Sequence, residues 1–189
     1  MSDIRPVDIW ILDLDCDSRI VLTPEEENRA ARLHRELDRV RWARARTALR
    51  EILSSHLRCG ALDVRFETGA HGKPFVEGGP QFNVSHSGQW VAIAVASVAE
   101  VGIDIEQMRE RVDIAKLLER LGERELPESR TALFQRWARR EAASKTTGGA
   151  LFHSVDAYVQ VGDLKAPEGY VAAVGMRGFE PEPVYRGGR

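Results

Sequence analysis

The chain has 189 residues, 43% of them apolar and 30% charged, with a formal net charge of −2. That length allows one large domain or two small ones, and a core burying roughly 70% of the unfolded surface, so no staple is required. The negative balance argues against a general nucleic-acid binder, and no apolar run approaches the ~20 residues of a membrane span.

Residues 7–14 (V-D-I-W-I-L-D-L) alternate like an opening strand. Thr23-Pro24-Glu25-Glu26-Glu27 is a helix start: an N-cap threonine, proline at the first helical position, then acids in the first turn. A long helix is predicted over 37–57, where Trp42, Ala45, Leu49, Ile52, Leu53 and His56 recur at three- and four-residue steps as a face to be buried. Arg41 and Arg44 share a neighbouring face. Residues 29–58 hold Arg32, Arg35, Arg39, Arg41, Arg44, Arg46 and Arg50 against only Glu36, Asp38 and Glu51 between the flanking arginines. Such a face suits phosphates without making the whole molecule cationic.

A strand is expected over 64–68, then loops at Gly69, Gly72, Pro74, Gly78, Gly79 and Pro80. Residues 90–97 and 101–106 read as a hairpin or adjacent strands. Helices follow over 113–121 and 130–147, then closing strands over 152–161 and 170–176. The end of the chain, 181–189, reads as a mobile tail. Each half carries a basic helix followed by strands, and V-A-I-A-V-A resembles Y-V-A-A-V-G. The expectation is an α+β fold of two similar lobes, 1–100 and 101–189. Cys16 and Cys59 stand in no C-x-x-C or Cys/His cluster, and the first residues carry acids where a signal peptide needs bases. A soluble, cytoplasmic protein is expected.

Four segments could carry chemistry. Asp104 and Glu106 lie two apart on a strand, so their carboxylates share a face among apolar neighbours, where a hard divalent cation would relieve their repulsion. Taken alone, D-x-E is more often a solvated strand face. Trp137, Glu141 and Lys145 form an i, i+4, i+8 stripe, for which an exposed Glu–Lys pair is the bland alternative. Ser85-His86-Ser87-Gly88 offers hydroxyls and an imidazole suited to a phosphate but lacks a nucleophile elbow. Gly72-Lys73-Pro74 is an ordinary turn or a loop that brings backbone and one ammonium to a ligand.

In order, G-K-P, F-N-V-S-H-S-G, G-I-D-I-E and W-A-R-R-E-A-A-S-K closely resemble the 4′-phosphopantetheinyl transferase family, in its long, pseudo-dimeric branch, over residues 23–151. The resemblance implies two lobes related by a pseudo-twofold axis. It implies Mg²⁺ (with Mn²⁺ tolerated) on Asp104, Glu106 and Glu141, with Glu141 also the general base. Lys145 would neutralise the pyrophosphate of coenzyme A. Arg41, Ser85 and His86 would hold its phosphates, and Gly72, Lys73 and Pro74 its adenine and phosphates. The partner implied is an apo acyl or peptidyl carrier protein, the enzyme a monomer independent of nucleic acid and membrane. The chain departs from the family at Arg140, where lysine is usual, and in a short interval over 107–140 with Leu117-Leu118 at an aromatic pair. Of two usual basic residues it has Glu26 at the first and Arg29 at the second, so the 3′-phosphate would be held by fewer charges or by Arg32, with Arg41 carrying more of the affinity. A non-catalytic coenzyme A or nucleotide-binding module is the alternative from another class; it would not need Glu141. An arginine-helix nucleic-acid binder is the third.

Overall fold

A computed structural model describes residues 3–69, 72–124, 127–148 and 156–187. The fold is α+β. Strand β1 (Ile4–Asp13) is followed by helices α1 (Pro24–Ala31) and α2 (Glu36–Leu57), a 3-10 turn (Ala61–Asp63) and a two-stranded ribbon of β2 (Glu67–Thr68) and β3 (Pro74–Phe75). Then come β4 (Gln81–Ser87), β5 (Trp90–Ala96), β6 (Val101–Gln107), α3 (Ile114–Leu121), α4 (Arg130–Thr146), β7 (Val159–Leu164), β8 (Tyr170–Arg177) and β9 (Glu180–Tyr185). Two sheets result, ordered β4-β5-β1-β9 and β6-β8-β7. No helix among the described residues is long and apolar enough to cross a membrane.

Alternation along the strands stacks these elements in four layers. Ala92, Ala94 and Ala96 of β5 face Val101, Ile103 and Ile105 of β6 and Ala172, Val174 and Met176 of β8, in one core shared by both sheets. Val91, Ile93 and Val95 point the other way, onto Leu49 and Leu53 of α2. On the far side, Val171 and Ala173 of β8 meet Phe134, Ala138 and Ala142 of α4. Asp104 and Glu106 share parity with Gly102, not with the apolar residues of β6, so they face α4.

The contact of α4 with its sheet is unusually close. A Cβ added at Gly102 would lie 2.2 Å from the Ala142 carbonyl oxygen and 2.4 Å from the Thr146 nitrogen, and one at Gly175 would lie 2.7 Å from Thr146 Oγ1. Only glycine lets the helix backbone descend that far, and the descent brings Glu141 and Lys145 to the carboxylates. Gly102→Ala should therefore cost at least about 2 kcal/mol, because the clash is with backbone that cannot rotate away. In a chain this size a fall in Tm of about 4–8 °C is expected in a thermal melt.

Helix α1 starts as its sequence demands. Thr23 Oγ1 accepts from Glu26 N, and Glu26 Oε2 accepts from Thr23 N at 3.0 Å, a reciprocal box behind Pro24. Glu26 is also buried against two guanidiniums: Arg50 donates to both of its oxygens at 2.8 and 2.9 Å, and Arg46 to one. Arg50 goes on to the Ala61 and Val64 carbonyls, and Arg46 lies over the Phe66 ring at 3.5 Å. Glu26 is thus the counter-ion that fixes α1 on α2.

Three expectations change. Only Glu67–Thr68 of the 64–68 segment is strand, because Val64 closes the 3-10 turn. Residues 90–97 and 101–106 do not pair: β4 and β1 occupy both edges of β5, so β6 passes to the other sheet and packs across from it. Of the tail expected over 181–189, residues 188–189 lie outside the described residues, and Glu180–Tyr185 forms β9, parallel to β1, with Glu180 N and Arg186 N bonding Asp3 O and Ile9 O. Pro181 and Pro183 alternate with those donors, so their missing N–H groups fall on the side away from β1, where an edge strand tolerates proline. Of the strand expected over 152–161, residues 152–155 lie outside the described residues; β7 runs on to Leu164.

Candidate active site

The stripe on α4 and the D-x-E of β6 meet. Asp104 is 2% exposed. Its Oδ1 accepts from Lys145 Nζ at 2.6 Å and from Ser85 Oγ at 2.8 Å, and Lys145 Nζ also donates to Ser85 Oγ at 3.0 Å. Its Oδ2 is buried with no hydrogen-bond partner among the described residues. Both oxygens of Glu106 are engaged, Oε1 by Trp137 Nε1 at 3.0 Å and Oε2 by Ser87 Oγ at 3.3 Å.

Burial raises the pKa of all three acids. Asp104 is pushed up by desolvation against the pull of Lys145 and Ser85. Glu106 is pushed up by desolvation and then by Asp104, opposed by the hydrogen bonds from Trp137 and Ser87. Glu141 rises to about 7, through desolvation first and the Asp104 charge second, with Lys145 opposing and Glu106 adding. A carboxylate that titrates near neutrality is matched to taking up and releasing a proton.

A second set of side chains holds β6 in place. Asn83, Ser85 and Ser87 alternate on one face of β4. Asn83 Oδ1 accepts from Ile103 N at 3.0 Å, Ser85 reaches Asp104, and Ser87 accepts from Gln107 N at 3.1 Å while donating to Glu106. These side chains join the edges of two sheets where no backbone ladder exists. Sequence reasoning missed Ser87 and the Trp137 indole as partners of Glu106. The N-x-S-x-S alternation beside a D-x-E strand is the signal that could have found the serine.

The remaining expected residues are spread out. His86 is exposed and, next to Ser85 on a strand, points to the opposite face of β4. Arg41 Nε and Nη2 fork onto both oxygens of Asp15 at 2.8 and 2.7 Å. That pairing holds the Asp15 carboxyl below its usual range. Gly72 (φ 78°) and Lys73 end the turn between β2 and β3, and Pro74 opens β3; Lys73 and Pro74 line a cleft of about 150 Å³ with Phe75, Phe82 and Thr146. Lys73 Nζ donates to the Val101 carbonyl at the start of β6, whereas Arg41 on α2 is held by Asp15. Arg41 and Lys73 are thus each paired within the protein, and His86 faces away from Ser85. A second cleft, of about 190 Å³, lies beside Glu106 and is walled by Val112, Leu117, Phe134 and Trp137.

Among the described residues, no three acidic, histidine or cysteine side chains are gathered tightly enough to enclose a metal by themselves. Mg²⁺ needs less, taking one or two carboxylates with substrate phosphates and water. The orphaned Asp104 Oδ2, the all-oxygen donor set and the mutual repulsion of one buried and two half-buried acids fit such an ion, with Asp104, Glu106 and Glu141 as the available ligands.

Comparison with known proteins agrees with this arrangement. Residues 16–98 match the family described as 4′-phosphopantetheinyl transferase, N-terminal, and residues 100–180 match the 4′-phosphopantetheinyl transferase superfamily. The chain is 34% identical over 141 residues to slr0495 of Synechocystis, covering 68% of this chain and 57% of that protein. It is 29% identical over 215 aligned positions to the 4′-phosphopantetheinyl transferase HetI of Nostoc, covering 95% and 91%. To the 4′-phosphopantetheinyl transferase Sfp of Bacillus subtilis it is 28% identical over 146 residues, covering 72% and 65%. The match thus runs nearly the full length of HetI, just under two thirds of Sfp and somewhat over half of slr0495. With both halves of the chain matched in order, and the acids of β6 and α4 meeting in the second half, the chain belongs to the 4′-phosphopantetheinyl transferase superfamily.

Proposed function

We propose that this protein transfers the 4′-phosphopantetheine group of coenzyme A to a serine hydroxyl of an apo acyl or peptidyl carrier protein, releasing 3′,5′-ADP. The observation that carries the reading is Glu141: a glutamate brought to a pKa of about 7 by burial and Asp104, beside the Lys145 ammonium. In the transfer, Glu141 takes the serine proton as the serine oxygen bonds to the β-phosphorus. The P–O bond to the nucleotide breaks, and Lys145, turning from Asp104, neutralises the charge left on the leaving phosphate. Phosphoryl transfer is catalysed mainly by such positioning and neutralisation. Bound Mg²⁺ would supply charge neutralisation on the pyrophosphate, held by Asp104, Glu106 and Glu141.

Coenzyme A is long enough to use the separated groups in turn. The turn at Gly72, Lys73 and Pro74 borders the cleft proposed for the adenine. Ser85 lies with Lys145 for the pyrophosphate, and Arg41 and His86 are left for other phosphate oxygens, Arg41 after exchanging Asp15 for the ligand. The reading also includes a monomer of two pseudo-symmetric lobes, 1–100 and 101–189, acting in the cytoplasm without nucleic acid or membrane.

Incubation with coenzyme A, Mg²⁺ and a panel of apo carrier proteins, followed by intact-mass analysis, tests it. A mass gain of one phosphopantetheine on a carrier serine, abolished by chelation, is expected. Transfer that survives thorough chelation would remove the metal from the scheme, and no transfer to any carrier would favour a binding module.

A further inference from the structure

We propose that the Lys73 side chain is a positioning residue: it locks the last turn of α4 to the start of β6, and so holds Glu141 and Lys145 against Asp104. This inference rests on the transferase reading and deepens it. A lysine in the turn before β3 would ordinarily be assigned to a phosphate, with its donors open to a ligand. Here Nζ donates to the carbonyl oxygens of Val101, Lys145 and Thr146, each at 3.1 Å. An ammonium has three N–H donors, so all are spent within the protein.

The three acceptors are informative in themselves. Lys145 and Thr146 lie in the last turn of α4, where the helix dipole is negative and its final carbonyls are short of donors, Gly148 N reaching Lys145 O only at a long 3.4 Å, so a cation there is stabilising. Val101 is the first residue of β6, three before Asp104. One ammonium therefore ties the element bearing Glu141 and Lys145 to the element bearing Asp104 and Glu106. The tie is made on the backbone of Lys145 itself, whose side chain contacts Asp104 and Ser85. The anchor is braced in turn: Gly69 N donates to Lys73 O at 2.9 Å across the β2–β3 turn. Beneath the same helix turn, Gly102 and Gly175 leave no room for a Cβ, so α4 has one close-packed seat on the sheet and Lys73 fastens its free end.

Lys73→Met, which keeps the stem and removes the donors, should lower kcat by about tenfold or more, because misplacing catalytic groups by an ångström can cost up to about a hundredfold. KM for coenzyme A should change less than about twofold, and the loss should be the same with 3′-dephospho-coenzyme A. Hydrogen exchange of the amides of residues 144–148 should quicken in the protein without substrate. Lys73→Gln, retaining two donors, should recover part of the rate and the protection, and serves as the test if the methionine variant does not fold. A rise in KM that disappears with 3′-dephospho-coenzyme A, or unchanged exchange at the end of α4, would overturn the clamp. If the parent protein transfers nothing, the transferase reading fails, and exchange alone decides the clamp: faster in the variant upholds it, unchanged refutes it.

Discussion

Glu141→Gln should lower kcat for carrier modification by about 10²–10⁴-fold, the range lost when a general base is removed, and at the same time stabilise the metal-free protein at pH 8. The stability half follows from linkage. The Glu141 carboxyl titrates at about 7 in the fold against 4.5 when unperturbed. A folded pKa raised above the unfolded one favours the fold fully below pH 4.5, and that advantage is lost as pH rises through about 7. Above pH 7 the wild type carries a buried charge beside Asp104 and Glu106 that glutamine does not. The interval from 4.5 to about 7 sets a ceiling of about 3 kcal/mol, and burying an amide takes some of it back, so a gain of about 1–2 kcal/mol is expected. Chemical denaturation in chelator at pH 8 and pH 4.5 checks it: the variant should be the more stable at the first, and at the second, where Glu141 is protonated in the fold, only the amide cost should remain and the gain should give way to a small deficit. A variant that is inactive and less stable at pH 8 would make Glu141 a structural residue.

Lys145→Met should act in the opposite sense on stability. The Lys145–Asp104 pair is asymmetric, the aspartate side chain 3% exposed and the lysine 31%. Removing the cation leaves the buried partner with an unpaired charge and an orphaned Oδ2. Breaking a fully buried pair costs about 3–5 kcal/mol; with the lysine a third exposed, about 2–3 kcal/mol is expected at pH 8. The Asp104 carboxyl, already raised by burial, rises further without Lys145. The deficit is therefore present above that higher pKa and fades as pH falls through it and the aspartate takes a proton. Asp104→Asn combined with Lys145→Met should recover most of the loss in a double-mutant cycle, because no buried charge then remains. Transfer should fall at least about a hundredfold in the single variant, as when a donor that stabilises developing charge is removed. A stable but inactive Lys145→Met protein would mean that Asp104 is neutral beforehand and the pair contributes nothing to the fold.

These effects oppose each other because the site is over-supplied with negative charge. Asp104, Glu106 and Glu141 each raise or are raised by another, and burial is the first cause in every case. The fold tolerates them through specific donors: Lys145 and Ser85 on Asp104, Trp137 and Ser87 on Glu106. Glycines at 102 and 175 then bring α4 down until Glu141 joins the group.

Much of this was legible along the chain, wherever the determining physics is local. Thr23, Pro24 and Glu26 specify the start of α1 because capping acts within four residues. Period two on β6 puts Asp104 and Glu106 on one face, and period four on α4 aligns Trp137, Glu141 and Lys145, whatever lies opposite. Tertiary structure alone decided what those faces meet. The alternating apolar runs of β5 and β6 are equally consistent with a hairpin and with two strands packed across a shared core; only the occupied edges of β5 select the second. Pro181 and Pro183 argue against a strand until a sheet edge is found for them. Glu26 sits on the same helix face in either reading, and its burial between Arg46 and Arg50 comes from the docking of α1 on α2. Lys73 shows the limit most clearly, since its residue type and turn suit a phosphate, and three carbonyls distant in sequence hold its ammonium instead. Short-range periodicity fixes which way a side chain points, and long-range packing fixes what it finds there.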